Sequence, residues 1–199
     1  MEHYFISKEH SKTDYFNFSW QFLGKDFTFK SCDDVFSKDQ VDYGTYVLLK
    51  TIVQNVEISG KILDIGCGYG VIAIVLDKMF NNAKFCLTDV NQTAIELSTE
   101  NAKLNNSKNI YSIKLSNAYE NIDETFDFIV SNPPIKAGKN VLYNIILGAY
   151  EKLNQNGQLI FVIKKKFGED SLKKELSKIF KSVEVLERDS GYYILLAKK

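Results

Sequence analysis

Apolar and polar positions follow two different rhythms along this chain. Between residues 61 and 163, short and nearly continuous apolar runs alternate with stretches whose apolar residues recur every three or four positions. "KILDIG" (61–66), "KFCLTD" (84–89), "IYSIKL" (110–115), "FDFIVS" (126–131) and "QLIFVI" (158–163) predict strands. Between them, 71–80, 92–105 and 139–154 predict helices, the last with Val141, Ile145 and Ala149 at helical spacing. Strands apolar on both faces, alternating with helices, predict a parallel sheet covered on each side. A helical stretch near 169–180 follows, then "VEVLE" and "YYILLAKK", joined through Asp189-Ser190-Gly191. That link is short enough for an antiparallel hairpin. The expected class is therefore α/β, a doubly wound and mostly parallel sheet whose last strand is reversed.

Ahead of residue 60 the rhythm is strict alternation. Phe16, Phe18, Trp20 and Phe22 are separated by polar residues, a turn is marked by Leu23-Gly24-Lys25-Asp26, and Phe27 and Phe29 return. This predicts a β-hairpin with one aromatic face. Such a face serves either as a base-stacking platform or as core, and core is the commoner use. Ser37-Lys38-Asp39-Gln40 fits a capping box that would open a helix through about residue 56. Residues 1–36 are expected to form an extension with the hairpin, and 37–199 the main domain.

Composition narrows the choice of function. A chain of 199 residues with 45% hydrophobic content has the material for one globular core. Lys plus Arg (25) equal Asp plus Glu (25), so any nucleic-acid surface must be local. Cys32, Cys67 and Cys86 are too scattered for a disulfide framework or a zinc site, and His3 and His10 do not pair with them at ligand spacing. No metal is expected. The start "MEHYFISKEH" lacks the pattern of a signal peptide, and no apolar run reaches the ~20 residues of a membrane helix. A cytoplasmic protein with reduced cysteines is expected.

Candidate chemistry gathers where strands end. "LDIGCGYGVIAIVL" carries Gly66, Gly68 and Gly70 between a strand and a helix. Glycines there allow a sharp turn and close approach of a ligand, and the helix N-terminus beyond offers unpaired N–H groups. The dinucleotide fingerprint would need glycine at 71, which is Val71, so that reading fails. Asp64 places a carboxylate two residues before the first glycine, which suits a ligand bearing an ammonium group better than a pyrophosphate. Asp89 ends the next strand, where an acidic side chain can accept from both hydroxyls of a ribose. In "LSNAYENI", Asn117 falls where a nucleoside base would lie. All these positions share the carboxyl edge of the sheet. An amino-acid end, a ribose and an adenine together describe S-adenosylmethionine.

The chain has two prolines, and they adjoin in "SNPPIKAG". Pro133 holds Asn132 in extended geometry, and both prolines fix φ and lack an N–H. The stiff turn presents two acceptors, the Asn132 side-chain oxygen and the Pro133 carbonyl. An exocyclic amine has a delocalised lone pair and is a poor nucleophile. Acceptors that hold its two hydrogens favour a pyramidal nitrogen and aim the lone pair at a sulfonium methyl.

With "LDIGCGYG", "TDVN", "SNAYE", "SNPPIKAGK" and "DVFSKDQVDYGTYVLL", the chain resembles the class I S-adenosylmethionine-dependent methyltransferases. Within them it is similar to the small-domain group that includes ribosomal RNA guanine-N2 methyltransferases. The resemblance covers roughly 27 to 199 and implies a seven-stranded sheet with the last strand antiparallel. It implies that Asp64, Gly66, Gly68 and Gly70 surround the methionine part of the cofactor, Asp89 the ribose and Asn117 the adenine, with Val90 and Ala118 also touching the cofactor. Asn132, Pro133, Pro134 and Ile135 would form the catalytic segment, Asn132 also touching the cofactor. Phe36 to Thr45, with Gly44, would be a flap over it. Ile135 stands where DNA adenine and protein glutamine relatives commonly carry an aromatic residue, which favours the RNA group. Asn117 stands where many relatives carry Asp.

Lys136, Lys139 and Lys164-Lys165-Lys166 would lie near the same edge and suit RNA phosphates, with Tyr192 as a candidate stacking residue. The expected function is amino-N methylation, with guanine N2 of structured RNA as the substrate. A protein glutamine, a small-molecule amine, or a binding module without catalysis are the alternatives.

Overall fold

Nine strands and five helices are found among the described residues of the computed structural model, 14–35, 37–134 and 139–199. Five strands are mutually parallel: β3 (Gly60–Ile65), β4 (Ala83–Asp89), β5 (Ile110–Leu115), β6 (Phe126–Ser131) and β7 (Leu153–Lys164). β8 (Ser182–Asp189) and β9 (Tyr192–Lys198) form a hairpin, and β9 inserts between β7 and β8, antiparallel to both. The sheet order is β5-β4-β3-β6-β7-β9-β8. This is the expected seven-stranded α/β sheet with its last strand reversed. The chain winds outward from β3 in one direction and from β6 in the other, so a crevice opens where β3 and β6 end side by side. Ser131 Oγ, buried, donates to the Ile65 carbonyl at 2.8 Å and ties those two ends together.

Strand alternation sends side chains to two cores. Leu63 and Ile65 of β3 join Phe126, Ile129 and Phe161 under α4 (Lys139–Lys152) and α5 (Glu169–Leu176). Ile62 faces the other way, into a core shared with α1 (Tyr43–Asn55) and α2 (Val71–Met79). Asp64 has the same parity as Ile62 and so enters the α2 side.

The hairpin of β1 (Tyr15–Phe22) and β2 (Lys25–Cys32) turns through Leu23 and Gly24, both with positive φ, as a two-residue turn matched to strand twist requires. Half of its aromatic face is core, with Phe18 and Trp20 partly buried against it. Phe22, Phe27 and Phe29 are fully buried, and Phe29 packs edge-on against Tyr69 of the glycine loop at 5.7 Å. No ring of these three is left for stacking on a base.

An edge strand normally exposes a row of unpaired backbone groups. Along β2 two asparagines from α3 (Gln92–Leu104) and its C-terminus cover them. Asn101 accepts from Lys30 N–H at 2.7 Å and donates to Lys30 C=O at 2.9 Å; Asn105 does the same for Thr28 at 3.1 and 2.8 Å. Asn101 also donates to Tyr69 C=O at 2.9 Å. Because three backbone groups, one buried and two part-buried, would lose their partner together, Asn101→Ala is expected to cost about 3 kcal/mol of folding stability. Chemical denaturation checks this, and wild-type stability in that variant would show that the amide ladder holds nothing.

Helix α1 corrects one expectation. Residues 37–40 form a turn rather than a capping box: Ser37 has a φ of 55° and its hydroxyl donates to the Gln40 carbonyl at 2.7 Å. The helix begins at Tyr43, capped by Asp42, whose Oδ2 accepts from Thr45 N–H at 3.2 Å. Val41, between the turn and the cap, is buried. β7 also differs, starting at Leu153 instead of 158 with a register shift beside Phe126.

Candidate active site

The glycine loop is built by β3, β4 and α3 together. Gly66 and Cys67 N–H both donate to the Thr88 carbonyl, at 2.8 and 2.9 Å, which folds the loop back onto the end of β4. Gly68 N–H donates to Asp89 Oδ2 at 2.9 Å, and Asn91 N–H to Asp89 Oδ1 at 2.9 Å. Each Asp89 oxygen thus keeps acceptor capacity for a further donor. Gly66 and Gly68 have φ of 73° and 56°, and a Cβ on either would meet nothing within 4 Å. Their need for glycine is conformational, and the space above them is open to a ligand.

Gly70 shares the left-handed backbone, with a φ of 94°, and serves a second purpose. A Cβ there would lie 3.0 Å from Ile74 and 3.3 Å from the Ser98 backbone, so this glycine lets α2 and α3 approach. It is the N-cap of α2, and it has no side chain to cap with. Asp64 fills that role from the strand, its Oδ2 accepting from Ala73 N–H at 3.1 Å. Its Oδ1 is buried with no partner. Burial pushes the carboxyl up to about 7, with the Ala73 hydrogen bond pulling it down and the Asp89 charge raising it further. Neither Asp64 nor Gly70 lines the cavity described next.

At the carboxyl ends of the strands lies a cavity of about 390 Å³. Gly66, Gly68, Asp89, Val90, Asn117 and Ala118 form one end of its wall, and Thr45, Asn132, Pro133 and Pro134 another. Ala118 holds a φ of 47°, an unusual conformation for a residue with a Cβ at a cavity wall. Asn117 is exposed and donates to Glu120 at 2.9 Å. Gly44 is not in the wall. A Cβ there would sit 2.7 Å from the Tyr192 ring and 2.8 Å from Asp42 Oδ2, so glycine seats both of those side chains. Phe36 and Ile135 lie outside the described residues, as do Lys136 and the Lys139 side chain.

Asn132 is half-buried at the end of β6. Its amide nitrogen donates to Asp42 Oδ2 at 3.1 Å and to Thr45 Oγ1 at 2.8 Å. A carboxylate accepts only, so the nitrogen of the amide must face Asp42. Both amide protons are spent, and what remains is an acceptor oxygen in a residue of the cavity wall.

Asn144 of the wall carries no mark in the sequence pattern, while Asp42 and Tyr69 fall inside the flap and glycine-loop segments without being singled out there. Tyr69 donates from its hydroxyl to the Ser37 carbonyl at 3.2 Å and so ties the glycine loop to the 37–40 turn. Cys67 also lines the cavity, but burial holds its thiol well above the usual range, which leaves it without thiolate character. On the exposed side, Lys164 and Lys166 line the cavity, with the Lys164 ammonium 5.0 Å from the Tyr192 ring centre; Lys165 does not. No three His, Cys, Asp or Glu side chains among the described residues could hold a metal.

A doubly wound sheet with a reversed last strand, a glycine loop and an acidic second-strand end around one cavity is the framework of an S-adenosylmethionine-dependent methyltransferase. Residues 26–196 match the model of the methyltransferase small domain, and the chain belongs to that family. It is 41% identical over 200 residues to the uncharacterized protein YbxB of Bacillus subtilis (strain 168), covering 100% of this chain and 98% of that protein. It is 33% identical over 168 residues to ribosomal RNA small subunit methyltransferase C of Actinobacillus pleuropneumoniae serotype 3 (strain JL03), covering 82% of this chain and 50% of the relative. The chain thus spans about half the length of that relative. Among solved structures, the T. thermophilus 16S rRNA N2 G1207 methyltransferase in complex with AdoMet and guanosine superposes with a TM-score of 0.82 at 24% identity, covering 93% of this chain and 50% of the other.

S-adenosylmethionine is the cofactor. The site fits it on two counts: open space above Gly66 and Gly68, and spare acceptor capacity on Asp89. When bound it supplies an electrophilic methyl group on a sulfonium.

Proposed function

We propose that this methyltransferase acts on an exocyclic amine, guanine N2 of a structured RNA, and that Asn132 and Pro133 hold the amine during transfer. One observation carries this reading. Asp42 and Thr45 consume both protons of the Asn132 amide, so the residue can only accept, and an acceptor is what an amine's N–H needs. The Pro133 carbonyl is the second acceptor, set between two prolines that fix φ and carry no N–H donor. Together they orient the lone pair and stabilise the positive charge that gathers on nitrogen.

Asp89 holds the ribose hydroxyls, Val90 and Ala118 flank the adenine with Asn117 at its edge, and the glycine loop serves the methionine end, with Asp64 beneath it on Ala73 N–H. Asp89→Ala is expected to weaken cofactor binding by roughly 100-fold, the scale of two charge-assisted hydrogen bonds less the loop's own losses. Isothermal calorimetry that returned an unchanged affinity would remove Asp89 from the ribose.

RNA as acceptor is supported by Lys164, Lys166 and Tyr192 along the exposed side of the cavity. The names of the ribosomal RNA methyltransferase relatives point the same way. A duplex base has to be unpaired or turned out to reach such a cavity. Cytoplasmic residence fits this substrate; among the described residues no helix is long and apolar enough to cross a membrane. The deciding experiment is incubation with labelled donor and ribosomal RNA lacking its modifications, followed by nucleoside mapping. Label on guanine N2, falling with added salt, is the expected result. Label on protein alone, or none on any RNA, overturns it.

A further inference from the structure

We propose that Asp42 is a positioning residue for methyl transfer, acting through the amide of Asn132. The inference rests on the amine-holding role of Asn132 argued above, and adds the source of its orientation and charge.

Asp42 and Asn132 are ninety positions apart, on the entry to α1 and the exit of β6. One carboxylate oxygen, Asp42 Oδ2, serves two donors: Thr45 N–H at 3.2 Å, which caps α1, and Asn132 Nδ2 at 3.1 Å. The cap fixes the carboxylate, and the carboxylate then fixes the amide. Gly44 makes the arrangement possible, since a Cβ there would come within 2.8 Å of that same oxygen.

Two consequences follow from the chemistry of the pair. First, a carboxylate has no proton to donate, so it forbids the flipped amide in which nitrogen would face the acceptor amine. A hydroxyl such as Thr45 Oγ1 can donate or accept and does not impose this choice alone. Second, an anion bonded to the N–H side of an amide polarises it and draws negative charge onto its oxygen. Asn132 Oδ1 faces a nitrogen that becomes cationic as it is methylated. A neutral asparagine backed by a buried-side carboxylate therefore stabilises that charge more strongly than an asparagine backed by hydroxyls. The carboxylate lines the same cavity, and within it the structure shows it bonded to Asn132 Nδ2.

Two substitutions separate this role from plain helix capping. Asn and Ser are both good N-caps, so Asp42→Asn and Asp42→Ser should leave α1 and the melting temperature nearly unchanged. Asp42→Asn removes the charge and is expected to lower kcat about tenfold, the gap between charged and neutral hydrogen bonds. Asp42→Ser also removes the reach to Asn132 and is expected to lower kcat by about 100-fold. Cofactor affinity should move little in either. A second readout needs no turnover: the side-chain ¹⁵N–¹H pair of Asn132, assigned by its absence in Asn132→Asp, should shift in both variants. Unmoved Asn132 resonances, or unchanged kcat in both variants, overturn the proposal. If the wild-type protein methylates no RNA while the Asn132 resonances do shift, the RNA reading falls and the Asp42–Asn132 link stands.

Discussion

Asn132→Ala is expected to bind S-adenosylmethionine normally and to lose methyl transfer by about 10²–10³-fold, the scale on which removal of one preorganised polar group from a reacting centre is felt. The reason lies in what the side chain is left to do. Its two amide protons are already bound by Asp42 and Thr45, so truncation removes an acceptor oxygen and leaves those two partners to be solvated. Thr45 and Asp42 also line the cavity, so water can reach them, which limits the structural damage. The loss should therefore appear in kcat. Single-turnover methylation of unmodified RNA beside calorimetric titration of the cofactor measures both parts. Full turnover in Asn132→Ala would take the amide out of the mechanism, whatever the substrate.

Asp64→Asn is expected to flatten the pH dependence of folding stability between about 4 and about 7. In the folded protein burial holds the Asp64 carboxyl near 7, whereas in the unfolded chain it ionises near the ordinary 3.8. Between those values the native state keeps a proton that the unfolded chain has released. Stability from this group is thus complete below about 3.8 and is lost as pH rises through about 7. Three pH units correspond to about 4 kcal/mol as an upper figure. The amide of the variant can still accept from Ala73 N–H, so α2 keeps its cap while the titration disappears. Denaturation series on both proteins give the result as a difference of two curves, which cancels the other carboxylates. Parallel stability curves for the two proteins would mean that Asp64 carries its charge at neutral pH without penalty.

Much of this architecture is legible in sequence because it is local. Apolar runs of strand length separated by helical periods describe five parallel strands, and the short Asp189-Ser190-Gly191 link describes the reversed hairpin. Gly66, Gly68 and Asp89 reach the cavity wall together because a βαβ unit brings successive strand ends to one edge. Asn132 and its prolines are marked by the scarcity of proline elsewhere in the chain.

Other features depend on which face a residue meets, and no spacing rule carries that. Ser37-Lys38-Asp39-Gln40 has the composition of a cap but closes on itself as a turn, while Asp42 caps the helix instead. Asp64 resembles a wall residue, yet strand parity sends it under the loop to cap α2. Gly44 and Gly70 lie outside the cavity wall, one against Tyr192 and the other against Ser98, which the glycine pattern does not reveal. Asn101 and Asn105 could have been noticed as two amides four apart on a helix, but only the packed hairpin gives them a strand edge to cover.

Periodicity along the chain was enough to determine the sheet, its helices and the edge at which chemistry collects, because those follow from the alternation of a few residues at a time. The partnership of Asp42 with Asn132, the burial of Asp64 and the conversion of an aromatic hairpin face into core were decided by tertiary structure alone. Each requires groups from distant segments to meet, and that meeting is settled by which surfaces exclude water together.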